Sequence, residues 1–493
     1  MTDSFDSLRD SSPDVVGAGT RSRLTSAPRR VAALLRPLWR SSLARPATAM
    51  PRLWPTAWVT VLPLIMVLAT EYKFRQRPLS ESLGGSVDSA IIVELGGYAF
   101  VAAYLVLFVI SPPQLRRPTA INFFMRGYAL ALCFSVTQSA YPQLGAARAT
   151  QLLVSVICAS AIATRASRRQ MLQLAHGFVA LVTASVYIGL YYRVPFSRLQ
   201  AGRFSWIYMH PVTAGAMLAL GLVLAAGLMT NRNELRFGLD HWPRPFYLIS
   251  IVTMLGGLLG TETRGAIGAA VAGLFVVGFL TLPRRERVPV GVLATMGIGL
   301  MAVWFIKPVA TYLARGESAA NLATVSNRTE LWGIAYDLVK ERPYTGWGLS
   351  TSRGIFFDRV GLGGAHNAFV NVSVDGGLIG AGLWVAFVVA IGIGIRRLYK
   401  AGHRDAPLLA GLLTALMVNG LTVEGVGSGI GMSALWLLLT GAWVGVLQRE
   451  VGAQRQRTTA GPVDLVSTGQ HSRPGRSAVL EISRVSGRNS TLT

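Results

Sequence analysis

Charge is what this sequence has least of. Only 14% of its 493 residues are Asp, Glu, Lys or Arg, against about a quarter in an ordinary soluble domain. Hydrophobic residues make up 51%, more apolar surface than a soluble fold hides or a disordered chain carries. Acidic residues are the scarcer sign: 23 Asp and Glu stand against 47 Lys and Arg, a formal charge of +24. Cysteine is almost absent. Cys133 and Cys158 both lie in apolar runs, which excludes a disulfide framework and offers no zinc spacing. The histidines do not cluster, so no metal and no cofactor is expected. No internal repeat is present.

What is there is a series of long apolar runs. They fall near 54–70, 91–110, 124–142, 149–164, 171–190, 211–229, 245–260, 264–282, 289–306, 368–395, 407–423 and 430–447. Each approaches the roughly 20 residues needed to cross a bilayer. The expected fold is an all-α polytopic membrane protein with about twelve transmembrane helices. Residues 53–306 hold the first nine, 307–367 form one large loop, and 368–447 hold the last three. Residues 1–52 and 448–493 are polar, basic tails, expected to be disordered. Arg29-Arg30 faintly resembles a twin-arginine signal, but Arg36 and Arg40 interrupt the run that should follow. The first span is therefore expected to be an uncleaved anchor.

The charge excess becomes intelligible on this topology. With both tails inside, 32 of the 47 basic residues fall on the cytoplasmic face, as the positive-inside rule requires. Lipid bilayer is the implied partner, and nucleic acid is not needed to explain the charge.

Polar residues on the outer face carry the chemistry. Arg264 follows Thr261-Glu262-Thr263 at the start of the eighth span, where a cation opposes the helix dipole. An anion held jointly by the guanidinium and the first-turn N–H groups would resolve the conflict. Gly268, one turn on, would let a bulky head group approach. The same violation recurs at Arg328 in Asn327-Arg328-Thr329-Glu330, a capping-box spacing. A stripe of Leu331, Ile334, Ala335 and Leu338 predicts an amphipathic helix ending before Pro343. His366, in Gly364-Ala365-His366-Asn367, precedes the tenth span, and an outward helix start favours the neutral, base-competent ring. His210 precedes Pro211 at another outward helix start, and Arg198 and Arg203 add outer-face cations before it. Asp375, two turns into the tenth span, is an ionisable residue at hydrocarbon depth and a functional candidate by default.

These pieces resemble the O-antigen ligase and O-antigen polymerase superfamily over roughly 60–445. The carriers are Arg264 to Gly268, Asn327-Arg328 through Trp332, Gly346-Trp347-Gly348, His366-Asn367, and Gly376 to Gly380. The family's usual Asn after the His-Pro pair is missing, since Val212 and Thr213 follow.

The resemblance implies a GT-C-like fold and a glycan transferase of the outer face of the cytoplasmic membrane. The donor would be an undecaprenyl-diphosphate-linked glycan. The acceptor would be a hydroxyl of a glycolipid, glycan or protein, and inversion is the expected outcome. It implies Arg264 and Arg328 on the diphosphate and His366 as base, without a metal. Arg198, Arg203, His210, Gly268, Asn367 and Asp375 are the candidate substrate-binding residues. A polymerase shares these motifs. A lipid-linked glycan transporter is the rival class, disfavoured because ionisable residues gather at the outer boundary rather than at the span centres.

Overall fold

The structure is a computed structural model describing residues 54–73, 75, 81, 83–84, 87–109, 119–192, 202–206, 209–230, 244–293, 295–297, 311, 328–427 and 430–459. Among these the regular elements are all helical, with no strand. Thirteen α-helices position the site: α1 (Trp54–Glu71), α2 (Ser89–Tyr104), α3 (Ala120–Ser135), α4 (Pro142–Arg165), α5 (Arg168–Tyr191), α6 (Pro211–Thr230), α7 (Arg244–Gly260), α8 (Arg264–Thr281), α9 (Arg328–Glu341), α10 (Thr351–Val360), α11 (Ala368–Lys400), α12 (Ala406–Gly420) and α13 (Met432–Thr459). Among the described residues seven helical stretches are long and apolar enough to cross a membrane, and Ala57–Glu71, Arg244–Gly260 and Ala406–Gly420 are shorter apolar helices. A helix satisfies its own backbone, so it is the form an apolar chain of this length takes in lipid. The ninth expected span lies largely outside the described residues, as do both tails beyond Trp54 and Thr459.

Burial separates the interior helices from the rim. α6 is buried along nearly its whole length, from Pro211 to Leu228, whereas α2 and α8 leave Ile92, Val93, Val271 and Phe275 exposed. Such apolar exposure is what a lipid-facing surface presents. The boundaries differ from expectation at one corner. α3 ends at Ser135, a 3-10 turn follows over Val136–Gln138, and α4 starts at Pro142. Proline suits a first helical position because its missing N–H would have no partner there.

Charge within the spans is also richer than the sequence reading allowed. Glu94, in the second turn of α2, is buried against Lys73, Arg148 and Gln151, with Arg148 Nη1 2.7 Å and Gln151 Nε2 2.8 Å from Oε1. Glu94 thus joins Asp375 among the ionisable residues of the spans, its charge countered by Lys73 and Arg148.

Residues 328–367, before the tenth span, fold onto the helices rather than standing apart. Leu331, Ala335 and Leu338 of α9 pack with Phe356 of α10, Ala365 and Val374 into a small core of their own. The predicted stripe is thus the buried face of α9, which ends at Glu341 as expected. α10 was not foreseen. It is fastened by Asp375, whose Oδ2 and Oδ1 accept from the N–H groups of Ser350 (3.0 Å) and Ser352 (2.8 Å).

That contact is possible because α11 is broken. Gly377 has φ 63 and ψ −168, outside any helical region and accessible mainly to glycine. Across the break, Leu378 N and Ile379 N donate to Pro343 O (2.7 Å) and Tyr344 O (3.3 Å). In return Val374 O and Asp375 O accept from Trp347 N (2.8 Å) and Gly348 N (2.9 Å). Gly346 makes the approach from the other side, since a Cβ there would lie 2.6 Å from Asp375 O. Non-helical backbone inside a membrane span survives only where protein satisfies it. Residues 343–348 do so.

Candidate functional site

The N-terminal ends of α8, α9 and α11 meet the turn Leu421–Gly427 between α12 and α13, and the start of α6 adjoins that of α8. Thr263 stands at the N-cap position of α8, but its hydroxyl donates to Pro211 O (3.2 Å), tying α8 to α6, and accepts from Arg203 Nη2 (3.0 Å). Thr263 makes no capping bond, so the first turn of α8 presents its N–H groups without a side-chain cap. Arg203 Nε also donates to Thr261 O at 2.8 Å. Arg203 therefore clamps the 261–263 turn, which contains Glu262 at φ 51.

The first turn of α8, which carries Arg264, and the Arg328 side chain both meet Thr422. A Cβ on Gly265 would sit 1.9 Å from Thr422 Oγ1, so only glycine lets the first turn of α8 lie so close. From the other side Arg328 Nη2 donates to Thr422 O at 3.4 Å. Gly268 meets nothing within 4 Å of the position of its would-be Cβ and faces open space, one turn below Arg264.

Two residues after Thr422 stands Glu424, which the sequence reading did not single out. His366 Nδ1 lies 3.5 Å from Glu424 Oε2, with side chains 39% and 22% exposed. Oε2 makes no hydrogen bond among the described residues. Burial pushes the Glu424 carboxyl up, but the proximity and charge of His366, with the charge of Arg353, outweigh it and hold the group below the usual carboxylate range. Glu424 is therefore ionised at neutral pH.

His366 is held in an unusual backbone state, φ 52, where a non-glycine residue is uncommon. The surrounding bonds explain why it stays there. Ala365 O accepts from Trp332 Nε1 of α9 (3.1 Å), and Ala365 N donates to Asn371 Oδ1 (2.9 Å). Asn367 caps α11 through Val370 N (3.1 Å) and reaches Leu421 O (3.4 Å). Among the described residues the non-glycine positive-φ positions are Glu262, Ser350 and His366, and strain of this kind gathers at functional sites.

His210 lies at the α6 start, its Nδ1 accepting from Val212 N at 3.1 Å. Burial, then the charge of Arg203, lower its pKa to about 4, with Glu424 opposing and His366 adding. It is neutral and faces the same group of charges. Arg353, on α10, was also missed. Its side chain is exposed, with Glu424 and Asp375 among the acidic charges that act on it.

The structure thus brings Arg203, His210, Arg264, Gly268, Arg328, His366 and Asn367 to one end of the helices. Asp375 points instead into the support beneath α10, with both oxygens occupied by backbone N–H groups. Arg198 lies outside the described residues, as does Asn327. Glu424 carried one usable signal: it is the sole ionisable residue of the glycine-rich stretch between the last two spans. Arg353 carried none beyond its position in the loop. Among the described residues, no three His, Cys, Asp or Glu side chains gather as a metal site requires.

Fold and site together define a membrane-embedded helical protein with a cationic, histidine-bearing site where several helix N-termini meet. Residues 249–385 match the family model described as O-antigen ligase, a stretch that includes Arg264, Arg328 and His366. The match bears out the resemblance read from the sequence and supports a glycan transferase of ligase or polymerase type. Glu424, Arg203 and His210 lie outside the matched stretch. No curated protein matches the chain.

Proposed function

We propose that this protein transfers a glycan from an undecaprenyl-diphosphate carrier to an acceptor hydroxyl at the outer face of the cytoplasmic membrane. The observation that carries the reading is that the N-terminal ends of α8, α9 and α11, which bear Arg264, Arg328 and Asn367, meet at the turn that pairs Glu424 with His366. Helix N-termini and guanidinium groups suit a diphosphate, which must gain charge as it leaves.

The chemistry follows from the pair. With Nδ1–H directed at ionised Glu424, the lone pair of His366 is on Nε2, the arrangement that makes an imidazole a base. Nε2 takes the proton of the acceptor hydroxyl as its oxygen bonds to the anomeric carbon. The carbon–oxygen bond to the diphosphate breaks, and the electron pair leaves with the phosphate oxygen onto Arg264 and Arg328. Attack opposite the leaving group inverts the anomeric centre. Arg203 acts by holding the 261–263 turn, and Asn367 by fixing the start of α11. His210, neutral beside them, offers a hydrogen bond rather than a charge.

Twelve spans, both tails cytoplasmic and the 307–367 loop outside complete the proposal; the basic asymmetry supports them. Purified protein given a lipid-linked glycan in liposomes should release free undecaprenyl diphosphate when an acceptor is present. Glycan that crosses the bilayer still attached to its carrier would instead establish a transporter. Product length separates the two acceptor classes: a ladder of repeats marks a polymerase, and a single addition to a different molecule marks a ligase.

A further inference from the structure

A second polar feature lies at the other ends of α6, α8 and α11. A cavity of about 490 Å³ is lined there by Thr230, Arg284, Arg287, Tyr399, His403 and Arg404, among others, with no carboxylate among the described lining residues. From Arg264 to Thr281, α8 rises about 27 Å, close to the thickness of a hydrocarbon core. The cavity is therefore about one membrane thickness from the candidate site.

The cationic lining is built, not incidental. Arg287 Nη2 donates to Leu280 O (3.1 Å) and Leu282 O (3.0 Å), and Nε to Leu282 O (3.2 Å). The guanidinium thereby satisfies carbonyls at the α8 C-terminus while lying 5.4 Å from the centre of the Tyr399 ring. The two acids adjacent in sequence are engaged elsewhere: both oxygens of the fully buried Asp405 accept from Arg168 at 2.8 Å, and Glu286 Oε1 lies 3.5 Å from Arg285 Nε. Arg284 and Arg404 are exposed at the cavity.

Apolar surface continues from it along α8. Arg287 also lies over Phe279, 5.9 Å from its centre, and Phe279 stacks on Phe275 at 5.6 Å. Phe275 and Val271, one further turn away, are exposed. Cations joined to an apolar stripe along a span fit an amphiphile better than a soluble anion.

We propose that this cavity binds the phosphate of an anionic phospholipid, with an acyl chain along Val271, Phe275 and Phe279. The cations hold the phosphodiester, and the stripe distinguishes a lipid from free phosphate. The test uses the full chain purified in detergent, titrated with dioleoyl phosphatidylglycerol, dioleoyl phosphatidylcholine or inorganic phosphate, and read by native mass spectrometry and thermal unfolding. Phosphatidylglycerol should bind and raise the unfolding midpoint, and phosphatidylcholine should do so far less. Replacing Arg284 and Arg404 together by Gln should weaken phosphatidylglycerol roughly 30-fold, at about 1 kcal/mol per cation near a surface. Arg287 stays in place because it caps α8. Phe275→Ala should weaken the lipid without altering any response to phosphate. Equal binding of the two lipids, or no effect of the double substitution, overturns the site. Inorganic phosphate that displaces phosphatidylglycerol at comparable concentration overturns the lipid as its ligand.

Discussion

Replacing Glu424 by Gln tests the proposed base more sharply than removing His366 itself. The substitution keeps volume and leaves an amide oxygen able to accept from Nδ1–H, so the ring keeps its orientation and loses only the neighbouring charge. That charge matters when Nε2 takes a proton and the imidazole turns cationic 3.5 Å from Oε2. Closing that contact to a hydrogen bond with a charged partner contributes about 1.5–3 kcal/mol, and each 1.36 kcal/mol is tenfold in rate. The expected fall in kcat is therefore roughly 10- to 150-fold, towards the lower end because the contact is long. Donor binding should hold, since the diphosphate is assigned to Arg264 and Arg328. The assay is release of undecaprenyl diphosphate from a lipid-linked glycan, with the unfolding midpoint measured alongside. A Glu424→Gln protein within twofold of the parent kcat would refute the pairing. So would a loss confined to the donor KM.

Other substitutions separate the remaining roles. His366→Ala should lower transfer by about 10²–10⁴-fold, the usual worth of a general base, with donor binding intact; parental turnover would remove it from the mechanism. Arg264→Lys keeps the charge but loses the planar fork, so turnover should fall at least tenfold; Arg328→Ala should do the same, and full activity in both would reject diphosphate binding there. Asp375→Asn should lower stability by about 2–4 kcal/mol, because a buried carboxylate accepting two backbone N–H groups is lost; unchanged unfolding would contradict its supporting role. His210 is held near 4, below its unfolded value, so its contribution is complete above about 6.5 and fades as pH falls towards 4. His210→Gln should accordingly flatten the loss of stability between those values, and an unaltered acid profile would refute the assignment. For topology, a cysteine at Arg359 should react with an impermeant reagent from outside and one at Ala453 should not, in a chain lacking Cys133 and Cys158; the reverse pattern inverts the model of insertion.

Much of this was legible in the sequence because bilayer physics is severe. An apolar run must become a helix, and a cation at a helix start is conspicuous where the dipole opposes it. Arg264, Arg328 and His366 stood out for that reason, and the stripe of α9 for its spacing. Glu424 did not, because its importance comes from a turn that folds back over the start of α11, a contact between residues 58 positions apart. Asp375 shows the reverse: its place in the span was legible and its partners were not. Depth in a span marked it as a candidate, and the structure adds that the N–H groups of Ser350 and Ser352 from the loop hold its two oxygens. Arg203 read as one more outer-face cation, and only the geometry reveals its hold on Thr261 and Thr263.

The four backbone bonds across the break at Gly377 have a consequence for how such proteins can diverge or be recombined. A surface loop is ordinarily a removable part, exchanged between relatives without disturbing the frame that carries it. Here residues 343–348 supply the partners that α11 lacks within itself, so loop and span are a single heritable piece. A chimera that takes its loop from one parent and its tenth span from another would leave unmatched backbone groups inside the membrane. A graft carrying 343–379 whole would keep them matched. New substrate ranges in this architecture should therefore arise by changes at the ends of the loop helices, with the seam between loop and span passed on intact.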